Sequence, residues 1–250
     1  MSGYCFRTYL GKTRHHWMRA VNNKPTIMDA KTHFIRPGLL KKNTKLPNGW
    51  ETYSFHKVYS HFKCSAHARA ENKPIPSLDQ WLFLREQYNE HVDGTTSFSD
   101  PIPPTQGYTV ENKERRTPFY AKLSPGKGRG IFASRDILKG ELVHNGSNSD
   151  VVFPDGSSFR RYLFALPRTM ACDVMEWAWT QQLQEGGDFY ICVAINISSL
   201  MNSGGDEKAN ALPTSSTTTV FYATKDIHKD EEILTDYEIY TTDWEAVGMD

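Results

Sequence analysis

The sequence predicts an α+β fold that is mainly β, with a helical insert and a partly helical N-terminal extension. Three observations support this class: short alternating runs between glycine-containing turns after residue 118, a helical pattern at about 158–183, and a capped helix near 77–92. Many short strands around one helical insert favour small sheets over a wound βαβ sheet.

The composition is that of a folded globular protein. The 250 residues are 38% hydrophobic and 23% charged, so the chain can bury a core without help from disulfides or metals. No apolar run approaches the length of a bilayer-spanning helix, and we expect no membrane insertion. The four cysteines form no CxxC pair, which favours reduced thiols in an intracellular protein. The sequence does not decide whether the protein lies in the nucleus, the cytoplasm or an organelle, and it does not indicate the oligomeric state.

Charge is distributed unevenly along the chain. Residues 1–75 contain 14 Lys and Arg against three acidic residues, a net charge of +11, and the remainder carries −11. A basic arm beside an acidic domain is typical of contact with nucleic acid or acidic partners. It also fits a solvated arm or packing on the acidic half, which we favour because charge asymmetry only suggests a partner. Nucleic-acid binding has no further support.

The predicted segments, in chain order, are a basic N-terminal extension at 1–107, a main domain at 117–240 with its helical insert at about 158–183, and a C-terminal tail at 241–250. Within the extension, Ser77 and Gln80 have the spacing of a capping box at the start of the helix near 77–92. A Pro-rich segment at 94–107 then predicts a linker.

A glycine-rich turn with the sequence GKGRG begins at Gly126, near the start of the main domain. Glycines let the backbone turn tightly and approach a ligand without interference from Cβ. The turn lacks the Gly-Lys-Ser/Thr of a P-loop, and no helical pattern follows it as a dinucleotide fingerprint requires. Taken alone, the turn is more typical of a hairpin than of a ligand site.

Three further motifs follow the glycine-rich turn in order. They are RDILKGELV from Arg135, the Asn-centred turn NSGG from Asn202, and EEILTDY from Glu231 to Tyr237. Together the four motifs resemble the SET domain family over about half of the chain. The resemblance implies a SET-type fold and S-adenosylmethionine-dependent methyl transfer to a lysine of a protein substrate.

The resemblance also implies roles for six residues. In SET proteins the glycine-rich turn contacts the methionine part of S-adenosylmethionine through backbone groups, the Asn-centred turn supports the cofactor, and the final Tyr lines the methyl-transfer channel. The matching residues are Lys127, Gly128 and Arg129 for the first role, Asn202 and Ser203 for the second, and Tyr237 as the catalytic residue.

The chemistry of this transfer needs few special groups. Displacement of a sulfonium by a neutral amine depends mainly on alignment and on a suitable electrostatic cavity. The substrate lysine, with a solution pKa near 10.4, must first lose its proton. A poorly solvated channel favours that loss by penalising the charged form. Neither a metal nor a covalent nucleophile is required.

The sequence departs from the family pattern at four places, one of which is Ala209-Asn210, where members usually have Pro-Asn. Asn202 is followed by Ser203 where members usually have His, the stretch 144–147 lacks a channel Tyr, and no Cys-rich segment follows Tyr237. These departures favour an alternative, a catalytically inactive SET-like binding or scaffold protein. They also leave a histone substrate without support.

Two other clusters of polar residues are interpreted as ordinary. His61, Cys64 and His67 are close in sequence but match no standard zinc spacing, so we predict no metal site there. Asp226, Glu231 and Glu232 could form a carboxylate pair but are interpreted as exposed charges of a turn.

Overall fold

The computed structural model describes residues 46–69, 73–92, 118–146, 150–240 and 242–250. Its helices are α1 (Phe55–His61), α2 (Cys64–Ala68), α3 (Leu78–His91), α4 (Gly156–Ala165), α5 (Arg168–Trp177) and α6 (Gly205–Lys208). Its strands are β1 (Phe119–Ser124), β2 (Gly128–Ala133), β3 (Leu142–Asn145), β4 (Asp150–Phe153), β5 (Trp179–Gln182), β6 (Phe189–Ala194), β7 (Asn202–Ser203), β8 (Ala211–Pro213), β9 (Val220–Ala223) and β10 (Leu234–Thr235). Short 3-10 helices occupy Trp50–Thr52, Ile197–Leu200 and Tyr237–Ile239.

The strands of the described ranges form four small sheets. β1 and β2 make an antiparallel hairpin, β3, β9 and β8 form a second sheet in that order, and β4, β6 and β5 form a third. β7 and β10 pair in parallel. The prediction of an α+β fold built from short strands and small sheets is therefore confirmed.

The helical insert is a pair of helices, α4 and α5, separated at Pro167. The prediction that helix continues to residue 183 is wrong at its end, because Trp179–Gln182 form β5. This strand pairs with β6 in antiparallel register, with Trp179 opposite Cys192. Pairing with β6 therefore decides the conformation of a segment whose hydrophobic spacing continues that of the preceding helix.

Helix α3 begins as the sequence predicts. The Ser77 hydroxyl accepts a hydrogen bond from the Gln80 backbone N–H at 3.3 Å, and the Gln80 side chain accepts one from the Ser77 N–H at 2.8 Å. Two of the N–H groups that a helix start leaves without partners are thereby satisfied.

The described part of the N-terminal extension belongs to the core of the main domain. Val58 and Trp81 are fully buried in the same hydrophobic cluster as Tyr162 of α4. The Tyr162 hydroxyl donates to the Leu84 carbonyl at 3.0 Å, which fixes α3 against α4. The predicted linker at 94–107 and most of the basic arm lie outside the described residues.

A disulfide joins α2 to α5. It links Cys64 to Cys172, whose Cα atoms are 5.1 Å apart and whose side chains are fully buried. The prediction of reduced, unpaired cysteines is wrong for this pair. A sequence separation of 108 residues hides the bond from any search for closely spaced cysteines. Within the described ranges, the free cysteine is Cys192, which is buried.

The segment 242–250, expected to be a tail, returns to the core. The Trp244 ring stacks on Phe55 with ring centroids 4.0 Å apart, and Val247 and Met249 are buried. The Phe55 backbone N–H donates to the Met249 carbonyl at 2.7 Å. These contacts connect the end of the described chain to α1. No helix in the described ranges has the length and hydropathy that crossing a bilayer requires.

Candidate active site

The glycine-rich turn is the tip of the hairpin formed by β1 and β2. Gly128 has φ +80°, a left-handed conformation that side chains rarely adopt, so glycine is needed for this turn. Gly130 is needed for a different reason. A Cβ there would lie 2.7 Å from the Glu232 Oε1 atom and 3.0 Å from the Asn202 Nδ2 atom. The absence of a side chain at Gly130 lets Glu232 and Asn202 contact strand β2 directly.

The Asn-centred turn is bonded directly to this hairpin. The Asn202 amide group donates to the Arg129 carbonyl at 2.8 Å and to the Glu232 Oε1 atom at 2.9 Å. Asn202 also begins β7, which lies beside β10 in parallel register. One side chain therefore holds three segments that are far apart in sequence.

Lys127, at the tip of the hairpin, adds further contacts to Ser203 and Glu232. The Lys127 ammonium lies 3.4 Å from the Ser203 carbonyl oxygen and 3.6 Å from the Glu232 Oε2 atom. The Ser203 hydroxyl accepts from the backbone N–H groups of Gly205 and Tyr237 at 3.2 and 3.3 Å. All six residues singled out from the sequence therefore lie together.

Glu232 is the residue of this site that sequence reasoning misses. Its side chain is 18% exposed and meets both Asn202 and Lys127, so its interpretation as an exposed turn charge is wrong. The EEILTDY motif contains it, but its role depends on an antiparallel bridge between Glu232 and Phe132. That bridge brings it beside the glycine-rich strand, a contact between residues 100 positions apart.

The Arg129 side chain forms an ion pair in the protein interior, whereas its backbone carbonyl accepts the hydrogen bond from Asn202. Its guanidinium is buried and forms two bonds to the Asp173 carboxylate, at 2.7 and 3.1 Å. The His67 Nε2 atom lies 2.7 Å from the same carboxylate. Because Cys64 is in the disulfide and His67 faces Asp173, α2 packs against α5, whereas the His61 ring lies beside Phe164 of α4 with ring centroids 5.3 Å apart. Over the described residues, no group of three or more His, Cys, Asp or Glu could hold a metal ion.

Tyr237 borders a cleft of about 230 Å³ next to the Asn-centred turn. The residue is 53% exposed, yet its hydroxyl is anchored by donating to the Met201 carbonyl at 2.9 Å. Burial, followed by the negative charge of Glu176, raises the pKa of Tyr237 above its ordinary value. The phenol is consequently a hydrogen-bond donor at neutral pH. Trp177, Trp179 and Tyr240 provide further aromatic walls of the cleft.

The cleft also contains a buried polar group of three side chains. The His144 Nε2 atom lies 3.5 Å from the Asp150 Oδ1 atom and 3.3 Å from the Ser198 hydroxyl oxygen. All three residues are buried and line the cleft. His144 lies in the stretch where the sequence lacks a channel Tyr. The structure thus reveals a titratable residue in the cleft that the motifs do not indicate.

The family model of the SET domain matches residues 128–238. The predicted resemblance to the SET domain family is confirmed over this segment, as is the prediction of a SET-type fold. The matched segment contains Gly128, Asn202 and Tyr237, whose geometry is described above.

Two solved structures illustrate the similarity. A Plasmodium falciparum protein assigned as a histone methyltransferase is 20% identical over 49% of this chain and 94% of its own, with a TM-score of 0.32. Apo ctPRC2 with two mutations in Ezh2 is 22% identical over 47% of this chain and 14% of its own, with a TM-score of 0.33. Among curated proteins, no significant match was found.

Proposed function

We propose that this protein transfers a methyl group from S-adenosylmethionine to a lysine side chain of a protein substrate. The observation that carries the proposal is the bond between the Asn202 amide and the Arg129 carbonyl at 2.8 Å. This bond joins the two turns assigned to the cofactor directly beside the cleft that Tyr237 lines.

The polar groups of this site fit the charges of the cofactor. The methionine part of S-adenosylmethionine carries a carboxylate and an ammonium, so its site must offer both a cation and acceptors. Lys127 offers an ammonium whose side chain is 37% exposed, and Glu232 offers a carboxylate within 3.6 Å of it. The space beside Gly128 is open, since no atom outside Gly128 and its chain neighbours lies within 4 Å of the place where a Cβ would stand. A site that offers both an ammonium and a carboxylate is suited to a zwitterionic ligand.

The cofactor, when bound, supplies an electrophilic methyl group on sulfonium sulfur. The protein's own contribution is to bind the lysine side chain and to exclude water around it. The aromatic walls formed by Trp177, Trp179, Tyr237 and Tyr240 offer apolar surface to an aliphatic stem that fills the cleft and displaces its water. Such an environment disfavours the charged ammonium and favours the neutral amine that reacts. Alignment in a fixed channel also removes much of the entropic barrier.

The charge of the cleft suits a lysine as it enters. Among the described residues that line it, Asp150 and Glu176 are acidic, and Glu176 is paired with Lys73. A cleft of one charge sign attracts ligands of the other, most strongly where the walls are apolar. An approaching ammonium is therefore attracted to the cleft before desolvation favours its neutral form.

One specific observation favours the alternative of an inactive SET-like binding or scaffold protein. The Asn202 amide nitrogen already donates to the Arg129 carbonyl and to Glu232, so its amide hydrogens are engaged within the protein. Only its carbonyl oxygen is left for a cofactor contact. Ser203 also stands where the family usually has His. Both features act on cofactor affinity, and the alternative predicts that affinity is lost.

A methyl-transfer assay separates the two functions. The full chain is incubated with methyl-labelled S-adenosylmethionine and a peptide library that has one central lysine. The proposed function predicts label on lysine, reduced on the order of 10²-fold by Tyr237→Phe. Tyr222→Phe is the matched control, since Tyr222 is an exposed strand tyrosine that does not line the cleft. Absence of label with the wild-type chain, at saturating cofactor, would favour the scaffold.

A further inference from the structure

We propose that His144 accepts the proton that the substrate ammonium must lose, with Asp150 stabilising the imidazolium that forms. This role rests on the proposed methyl transfer and adds a proton acceptor to it. Desolvation alone lowers the affinity of the amine for its proton but gives that proton no destination. An imidazole can accept a proton, and the imidazole that lines the cleft is that of His144.

The geometry of the three polar side chains is suited to this role. His144, Asp150 and Ser198 are 6%, 3% and 6% exposed, so bulk water does not screen their interaction. The His144 Nε2 atom faces the Asp150 carboxylate at 3.5 Å, close enough for a charged imidazolium to be stabilised. The Ser198 hydroxyl, 3.3 Å from the same nitrogen, can donate to it or accept from it. The ring therefore has a polar partner both when it is neutral and when it is protonated.

Among the described residues, Asp150 provides the carboxylate within ion-pair distance of the His144 ring. Phe221 of β9 lies against its ring with centroids 5.9 Å apart. Tyr237 and Tyr240 line the same cleft, and burial raises the pKa of both phenols, so both are neutral near pH 7. Glu176 also lines the cleft, but its carboxylate is paired with the Lys73 ammonium at 2.5 Å. The field at the imidazole is thus dominated by one carboxylate.

Tyr237 is not suited to accept the proton. Its hydroxyl already donates to the Met201 carbonyl, and its raised pKa makes the phenolate rare at neutral pH. It remains a group that orients the amine. The division of tasks is therefore Tyr237 for orientation and His144 for proton removal.

The proposed step is balanced. The ammonium of the lysine gives one proton to neutral His144, leaving a neutral amine and an imidazolium. The amine lone pair then forms the N–C bond to the methyl group as the C–S bond breaks, and that electron pair stays on sulfur. A sulfonium donor thus becomes a neutral thioether, and the product is a secondary ammonium. His144 afterwards releases its proton to water.

Two measurements on the full chain test this role. The first is the pH dependence of single-turnover methyl transfer to the lysine-peptide library, for the wild type, His144→Gln and His228→Gln. His228 is the matched control because it is an 83% exposed histidine on a turn. The second is the ¹⁵N chemical shift of the His144 ring, measured with a lysine peptide and with the same peptide carrying norleucine. The second measurement requires no turnover.

The expected results are specific to a proton acceptor. The wild-type rate levels off well below the pH at which a free lysine loses its proton, whereas the rate of His144→Gln is lower on the order of 10²-fold at pH 7 and rises with pH towards the range of free lysine. His228→Gln behaves as the wild type. The lysine peptide, unlike the norleucine peptide, shifts the His144 signals towards the imidazolium. If His144→Gln fails to fold, the wild-type profile and the ¹⁵N shifts still decide.

The outcomes separate this role from the function on which it rests. Methyl transfer whose rate in the wild type rises with pH to about 9 or beyond would overturn the role of His144 and leave the transferase intact. Unchanged ¹⁵N shifts with the lysine peptide would do the same. A wild-type chain that binds no cofactor and labels no lysine would remove the proposed function, and this role with it.

Discussion

Arg129 and Asp173 form a buried ion pair that ties the glycine-rich strand to helix α5, with two guanidinium–carboxylate bonds of 2.7 and 3.1 Å. His67 of α2 approaches the same carboxylate at 2.7 Å. The three side chains therefore connect the N-terminal extension, the helical insert and strand β2. The Arg129 carbonyl of β2 accepts the hydrogen bond from the Asn202 amide. The scaffold of the candidate cofactor site depends on all three segments.

Removal of the Asp173 carboxylate should strongly destabilise the protein. Asp173→Ala leaves the Arg129 guanidinium buried without its main partner, at a cost of about 3 kcal/mol in the free energy of unfolding. Urea unfolding measures this loss. The matched control is Arg135→Ala, which removes an exposed pair with Glu141 and should cost less than about 1 kcal/mol. Equal effects of the two substitutions would contradict a structural role for the buried pair.

Reduction of the disulfide should also lower stability. The bond between Cys64 and Cys172 closes a loop of 108 residues, and loops of that length correspond to roughly 3 to 5 kcal/mol of stabilisation. The melting temperature should fall on addition of a reductant. The double variant Cys64→Ala/Cys172→Ala should melt lower than the oxidised wild type and should not respond to the reductant. A reductant-insensitive wild type would show that the two thiols are not bonded.

Glu232 should contribute to cofactor binding through its charge. Glu232→Gln preserves an acceptor for the Asn202 amide but removes the partner of the Lys127 ammonium. We expect the affinity for S-adenosylmethionine to fall about tenfold, the loss of one charge-assisted contact, while the melting temperature changes little. Calorimetry and thermal melting measure the two quantities. Glu231→Gln changes the same charge one residue earlier and should leave the affinity near its wild-type value.

Local chemistry explains what could be predicted from the sequence. The Ser77–Gln80 capping box depends on residues three positions apart, so the start of α3 is visible in the sequence. The six site residues come from motifs whose order resembles a known family. Their geometry places Asn202 against Arg129, which the motifs alone do not specify.

Long-range contacts explain what could not be predicted. The Cys64–Cys172 bond, the Glu232–Asn202 contact and the pairing of Trp179 with Cys192 each join segments that no local pattern connects. Trp179 continues the hydrophobic spacing of α5, so periodicity favours a helix where β6 imposes a strand. The motifs indicate only that the stretch containing His144 lacks a channel Tyr. The proximity of His144 to Asp150 and Ser198 depends on the packing of β3, β4 and a 3-10 helix.

Calorimetric titration of the full chain with S-adenosylmethionine is the most direct test of the central claim. The arrangement of Lys127, Asn202 and Glu232 predicts saturable binding at one site per chain, weakened by Glu232→Gln. Folding is checked on the same samples by cooperative thermal melting. No binding heat from a folded wild-type chain, at several temperatures and at high cofactor concentration, would contradict the account.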